Sequence, residues 1–573
     1  MVSEVTYAKM NDPAVYTKGT AASYPTVEAI GAADMVHHDD ITSAPGQTQR
    51  ATYHYYNGRI DLTGRGFLGF EYLKRSDVAT GDYEQTGYRQ AFPYIGMVKN
   101  SGTWASDGSL RKFASFTLDS LNLNTNKTHF PFIAQSLDAS YELPGVLGNC
   151  QVNEVTQTSQ YDDYGNLTDQ LVTTSDGFTT HNVNQFTNNT TDWHLGRLSQ
   201  SSVTKSAPNT VDISRTSSFE YDANGLLSKE MIEPGSQFEL VTSYTLDGYG
   251  NRTSTTVSSG ASGSAAFTAR TSSITYDAEG RYPVQLTNAL GHSETRSHAA
   301  EFGQLLTMTG PNGLTTSWQY DQLGRKTLET RADGTTTAIT YHDNCTNTTN
   351  CLPGTPTNAR FAVSSVSTGS PASSQYSDLL GRELRSESVG LDGQAIYVDS
   401  FYNTLGQLSS QSEPHFAGAS PLYSTREYDA RHRVTLETNV DGTSQSTAYN
   451  GFETTITNAL GQQTTRLVNS QGQLVSVTDA TGGMNLYGYD AYGNLTTTTD
   501  DAGNTVSIVY DIRGRKVSMD DPSMGQWSYT YNALGELKAQ TDALNQTVTL
   551  AYDILGRQVS RTDIKRMFSM IQI

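Results

Sequence analysis

Tyr489, Tyr510, Tyr531 and Tyr552 recur every 21 residues, and each opens a similar phrase: YDAYGN, YDIRGR, YNALGE and YDILGR. A fixed period of this length constrains the fold more than any other feature, because such a unit buries its apolar face only by stacking on its neighbours. A second turn phrase recurs half a period on, as TDATGG, TDDAGN and TDALNQ at Asp479, Asp500 and Asp542. Each unit therefore holds two short segments and two turns. Asp or Asn starts a turn by taking a backbone N–H two residues on, and Gly closes it at positive φ. Between turns the residues alternate: Val506, Ile508 and Tyr510 share one face, as do Val548, Leu550 and Tyr552, which is the pattern of strands with one buried side. After the Gly, Leu495 and Leu537 stand two positions on but Val517 and Val559 three, so the register there stays open.

Short strands joined by tight turns make antiparallel hairpins, which stack side by side into one sheet. The expected fold class is all-β: an array of antiparallel hairpins wound into a curved shell or partial cocoon, because the sheet must coil until its apolar side is covered. The twelve residues expected to carry the repeat are Tyr489, Asp490, Gly493, Tyr510, Asp511, Gly514, Tyr531, Asn532, Gly535, Tyr552, Asp553 and Gly556. The phrase recurs with looser spacing at Tyr161, Tyr221, Tyr276, Tyr320 and Tyr402. Variants occur at Leu246 and Tyr376, and at Tyr428, where His432 stands in the Gly position. The array is expected over residues 155–563, after an irregular lead-in at 1–45 and a β-rich region at 46–154. The insertions Ser258–Ser264 and Asn344–Ala359, polar and bearing Gly or Pro, read as surface loops.

Composition agrees with strands: 33 Tyr against 18 Phe and 4 Trp supply apolar bodies with polar tips, suited to half-buried sheet faces. A net charge of −20 argues against nucleic acid and anionic membrane surfaces as partners. No apolar run approaches the roughly 18 residues of a membrane span, and the first residues lack the pattern of a secretory signal. Three cysteines are no disulfide framework. Cys345 and Cys351 bracket a turn-rich segment, either as a small disulfide loop or as two unpaired thiols, and Cys150 stands alone.

The repeated phrase resembles the YD repeat of Rhs proteins, teneurins and the B and C components of bacterial insecticidal toxin complexes. Arg59–Phe70, Tyr88–Gly96 and Asp192–Leu198 resemble segments of the toxin-complex B component, which favours a toxin-complex or SpvB-like subunit. The resemblance implies a structural shell that encapsulates or helps deliver a toxin. It also implies other Rhs or toxin-complex subunits, or an enclosed toxin domain, as partners, and a secreted or cell-surface location reached from the bacterial cytoplasm. After Asp563 the repeat gives way to an aberrant tail at 564–573. That change points to a truncated product whose last hairpin has an open edge for another chain.

Gly64, Gly66 and Gly69 read as a tight, buried turn region; without a following Gly-Lys-Ser/Thr they are no phosphate loop. His37, His38, Asp39 and Asp40 are the one dense group of metal-type ligands, and adjacent residues on an extended segment point to opposite sides, so a solvated loop is expected. No catalytic residue, cofactor or metal is expected, since turn chemistry accounts for the Asp side chains. Trp193 and Trp318 are the residues placed to stack on sugars if the chain is instead a carbohydrate-binding or adhesion protein that meets cell-surface glycans. The same aromatic residues serve equally well as cross-strand pairs.

Overall fold

A computed structural model describes residues 2–44, 47–123, 128–142, 151–260, 265–343, 345 and 351–563. All regular structure among them is β, and 44 strands join in one ribbon in which most pairs are antiparallel and between chain neighbours, Tyr16–Thr17 and Gln47–Tyr56 pairing in parallel. A separate small sheet joins Thr26–Glu28, Arg59–Asp61 and Gly66–Phe67. No helix among the described residues is long and apolar enough to cross a membrane.

The alternation reads through to burial: in Thr505–Tyr510 the Val506, Ile508 and Tyr510 side is part-buried, while Thr505, Ser507 and Val509 are exposed. Each turn with a leading Tyr also fixes the register that the wandering apolar residues left open. Tyr489 pairs with Leu495, Tyr510 with Lys516, Tyr531 with Leu537 and Tyr552 with Gln558, each after a bulge just before the Tyr. The residue two positions after the turn's Gly is therefore always the Tyr partner, whatever its chemistry. Val559, one position further, is 62% exposed. At two of the opposite turns, threonines bond across the strands, Thr499 to Thr505 and Thr541 to Thr547, both at 2.9 Å, adding a cross-strand pair there.

The inward face is half-buried rather than dry. Among the described residues fifteen hydrophobic side chains are buried, nine of them alanine. Large apolar groups rest on a sheet surface instead of filling a thick core, so stability leans on the backbone ladder and the turns.

The chain divides into two units, Met1–Gln157 with Thr335–Thr465 and Thr158–Gly334 with Arg466–Ile573. Each contains two stretches of ribbon far apart in sequence. The expected irregular lead-in instead carries Val2–Lys9 and Asp34–Ala44, paired antiparallel, and the second of these pairs on with Gln47–Tyr56. His37 to Asp40 lie in that central strand, not in a solvated loop, and Asp40 takes Arg50 at 2.6 Å. The glycine-rich segment has Leu68 buried and Phe70 packed against Met10, Tyr16 and Ala29, but Leu62 and Phe67 more than half exposed, so it is buried only in part. The Asn344–Ala359 insertion is not wholly at the surface: Cys345 and Ala359 are buried against Tyr376. Cys150, residues 261–264 of the first insertion and the tail at 564–573 lie outside the described residues.

Candidate functional site

The repeat residues build a ring at each turn. Asp490 accepts the amides of Tyr492 and Asn494, both at 2.9 Å; Asp511 accepts those of Arg513 and Arg515 at 2.9 and 3.1 Å; Asp553 accepts those of Leu555 and Arg557 at 2.9 and 3.0 Å. Asn532 does the same for Gly535 and Glu536 at 3.1 and 3.0 Å. The glycines Gly493, Gly514, Gly535 and Gly556 sit at φ between 77° and 104°. The residue after each glycine closes the ring. Asn494 donates to Asp490 at 2.8 Å, and Arg515 and Arg557 donate to Asp511 and Asp553 at 2.7 Å. Where Asn replaces Asp the polarity inverts, and Asn532 donates to Glu536 at 2.7 Å. The tyrosines reach backwards: the hydroxyls of Tyr489, Tyr531 and Tyr552 donate to the carbonyls of Leu474, Lys516 and Leu537 at 2.9, 2.9 and 3.0 Å. Each thus ties its own hairpin to the preceding one, and Tyr510 is part-buried at the equivalent place.

Because consecutive strands are antiparallel, the Tyr-Asp turns all lie along one edge of the ribbon. In each unit the Tyr-Asp edge of the later stretch lies against the opposite edge of the earlier one, forming a seam. In the first unit Glu142, with a 7% exposed side chain, accepts Arg433 at 2.8 Å, Arg431 at 3.4 Å and the Gly451 amide at 3.0 Å. In the second unit Asp176 accepts the hydroxyl and amide of Ser470 at 2.6 and 3.0 Å. There Tyr492 donates to the Val203 carbonyl at 2.7 Å, Arg215 to that of Ile512 at 2.7 Å, and Arg270 pairs with Glu536 at 2.6 Å. Arg215 also lies over the Tyr492 ring, 3.7 Å from its centroid, a cation–π contact. Burial pushes the Asp176 carboxyl upward, but the bonds from Ser470 and Thr174 outweigh it and hold the group below the usual carboxylate range.

A second concentration of charge sits where the ribbon forks. Strand Ala395–Tyr402 pairs through Ile396 and Tyr397 with His415–Phe416, and through Ser400 to Tyr402 with Leu408–Ser412. At the fork Arg385 grips Asp399 at 2.5 and 2.8 Å, His415 contacts the same carboxylate at 3.2 Å, and Arg382 holds Asp378. Burial raises the Asp399 carboxyl, yet Arg385 and then His415 prevail and keep it low. Cys345 and Cys351 are joined in a disulfide. The residues after it cover the fork: Arg385 donates to the Gly354 carbonyl at 2.7 Å, and Tyr376 to that of Pro353 at 3.4 Å and to Glu387 at 2.5 Å. Burial, then Glu387, raises the Tyr376 hydroxyl. The guanidiniums here are mated to carboxylates, so the cluster braces the fork. Among the described residues no group of three or more His, Cys, Asp or Glu could hold a metal.

Trp193 and Trp318 lie on separate elements. Trp193 is 74% exposed at φ 60° in the connection before His194–Ser206. Trp318 is half-buried within Thr315–Tyr320, and its indole donates to Glu329 at 3.2 Å, so it serves as a cross-strand partner. Sequence reasoning missed Glu142, Asp176, Arg215 and Arg270; nothing in a periodic pattern marks which turn meets which edge.

Three stretches, residues 301–336, 468–505 and 531–565, match the RHS repeat family model. Curated protein sequences give no match. Among solved structures the chain is similar to TcdB2-TccC3, with 11% identity and a TM-score of 0.74 over 93% of this chain and 39% of that one. It is similar to TcdB2-TccC3-Cdc42 at the same identity and score, over 94% and 41%. It also resembles the Photorhabdus luminescens Tc holotoxin pore with a TccC3 mutation, at 10% identity and a TM-score of 0.70 over 93% and 40%. The chain spans about 40% of the length of these structures.

Proposed function

We propose that this chain, which shares the fold of TcdB2-TccC3 and matches the RHS repeat model in three stretches, is an RHS-repeat protein and a non-catalytic wall segment of a toxin-complex shell, which encloses or helps deliver a toxin domain outside the cell. The seam carries this reading. Within each unit, charge-assisted bonds hold the Tyr-Asp edge of one stretch of sheet against the opposite edge of another, which is the bracing a wall needs. The half-buried inward face suits a wall lining more than a packed core. Its partners on this reading are other RHS-repeat subunits and the cargo they carry.

Co-expression with an RHS-repeat chain that bears a C-terminal toxin domain tests the proposal. The two should co-purify, and the toxin domain should resist a protease that degrades it alone. A stable monomer that binds no such chain and protects nothing would overturn it. The exposure of Trp193 favours a second reading, sugar binding, which a glycan array with the Trp193→Ala variant as control would decide.

A further inference from the structure

A cavity of about 630 Å³ interrupts the seam of the first unit, where the Tyr-Asp turns at 403–407 and 429–433 face the connections at 77–83 and 104–110. Its walls bring together Arg111, Lys112, Arg431 and His432 with Asp77 and Asp82. Both carboxylates are already engaged. Asp77 accepts the amides of Ala79 and Thr80 at 2.8 and 2.9 Å, while Asp82 accepts Arg111 at 2.8 Å and the Ser106 amide at 3.0 Å. The cations are less well matched. Arg431 reaches Glu142 only at 3.4 Å, and that carboxylate is held closer by Arg433. Arg111 is paired with Asp82 through both terminal nitrogens, at 2.8 and 3.2 Å, but keeps its Nε without a hydrogen-bond partner. In a chain of net charge −20 a hole where three Lys and Arg side chains outnumber two carboxylates runs against the overall field.

The backbone adds an independent observation. His432 sits at φ 65°, the left-handed position that glycine fills in the Tyr-Asp turns described above, at a cost of about 1–2 kcal/mol for a residue with a side chain. Gln407 Nε2 lies 2.9 Å from His432 Nδ1; with the amide donating, the imidazole carries its hydrogen on Nε2 and offers a donor. The strained turn is one of the two that line the cavity. Its imidazole, a guanidinium fork and an exposed ammonium then converge on one space, and each can only donate or attract negative charge.

We propose that this cavity binds a small oxyanion, a carboxylate or a phosphate, through His432, Arg431, Arg111 and Lys112. Calorimetric titration of the full chain with inorganic phosphate and, separately, with citrate tests it and distinguishes the two sources. Saturable one-to-one binding of at least one anion is expected, weakened about tenfold by Lys112→Gln or Arg431→Gln, each of which removes one charge-assisted contact. Lys112 makes no seam bond, so its variant keeps the test open if Arg431→Gln unfolds. His432→Gly should weaken binding while raising the melting temperature, because it relieves the turn. No saturable binding of either anion at millimolar concentration, or binding that all three variants leave unchanged, would overturn the proposal.

Discussion

Replacing Glu142 by glutamine tests whether the seam is a structural joint or an incidental contact. The carboxylate is 7% exposed and receives three donors: Arg433, Arg431 and the Gly451 amide. Removing one partner of a fully buried pair costs about 3–5 kcal/mol. Here the guanidiniums are about a quarter exposed, and Arg433 keeps Asp429 at 2.8 Å. The glutamine oxygen can also still accept the Gly451 amide. These three features reduce the expected loss to about 2 kcal/mol. Hydrogen exchange reads it where it occurs: amides at 429–433 and at Gly451 should lose protection about 30-fold, while those at 484–552 in the other unit stay unchanged. A double-mutant cycle with Arg433→Gln isolates the pair and should show at least about 1 kcal/mol of coupling. Unchanged exchange at 429–451, or zero coupling, would refute the claim that this bond holds the two edges together.

Asp511, whose side chain is 6% exposed within its turn, should cost about 2 kcal/mol as Asp511→Ala and clearly less as Asp511→Asn, because Asn532 fills the same role one unit on; equal urea midpoints for the two variants would contradict the ring mechanism. The carboxyls of Asp162, Asp176 and Asp399 are pushed up by burial but held low overall by their hydrogen bonds and cations. Their folded values lie below the unfolded one, so the stability they supply is complete above about pH 4 and drains away as pH falls further. Urea midpoints should be flat from pH 7 to 5 and fall steeply below 4, and a rise on acidification would show the sign to be wrong. Reducing the Cys345–Cys351 disulfide releases a loop worth about 2 kcal/mol of chain entropy. Proteolysis should then appear first at residues 351–360 over the fork, and cleavage elsewhere first would detach the disulfide from that role.

Much of the local architecture is legible in the sequence, because the forces that make it act over a few residues. The Tyr spacing gives the strand count, and Asp and Gly at fixed offsets give the turns. Alternation picks out Val506, Ile508 and Tyr510 as one side. The role of the residue after each glycine was also written there, as Arg, Asn or Glu matched to the polarity of the first turn residue, but only the ring geometry explains it. Register was hidden because Val517 and Val559 break the apolar pattern, whereas backbone bulges, not side chains, set the pairing. The His37 to Asp40 segment misled because polarity alone looks like a loop, while a strand between two neighbours tolerates polar residues that pair, as Asp40 does with Arg50. The seam and the fork were illegible. Their partners stand hundreds of positions apart, and a repeat makes every turn resemble every other.

That sameness has a consequence for how such a chain can change. Arg433 meets Glu142 across 291 positions, Tyr492 meets Val203 across 289, and Arg215 meets Ile512 across 297. Loss or gain of a single 21-residue module between such partners would shift every one of them by a whole hairpin and bring mismatched charges together. Length is therefore conserved by counting: growth is tolerated in the connections between strands, like the one from Asp343 to Phe361 that carries the disulfide, while duplication of a module inside the lap is not.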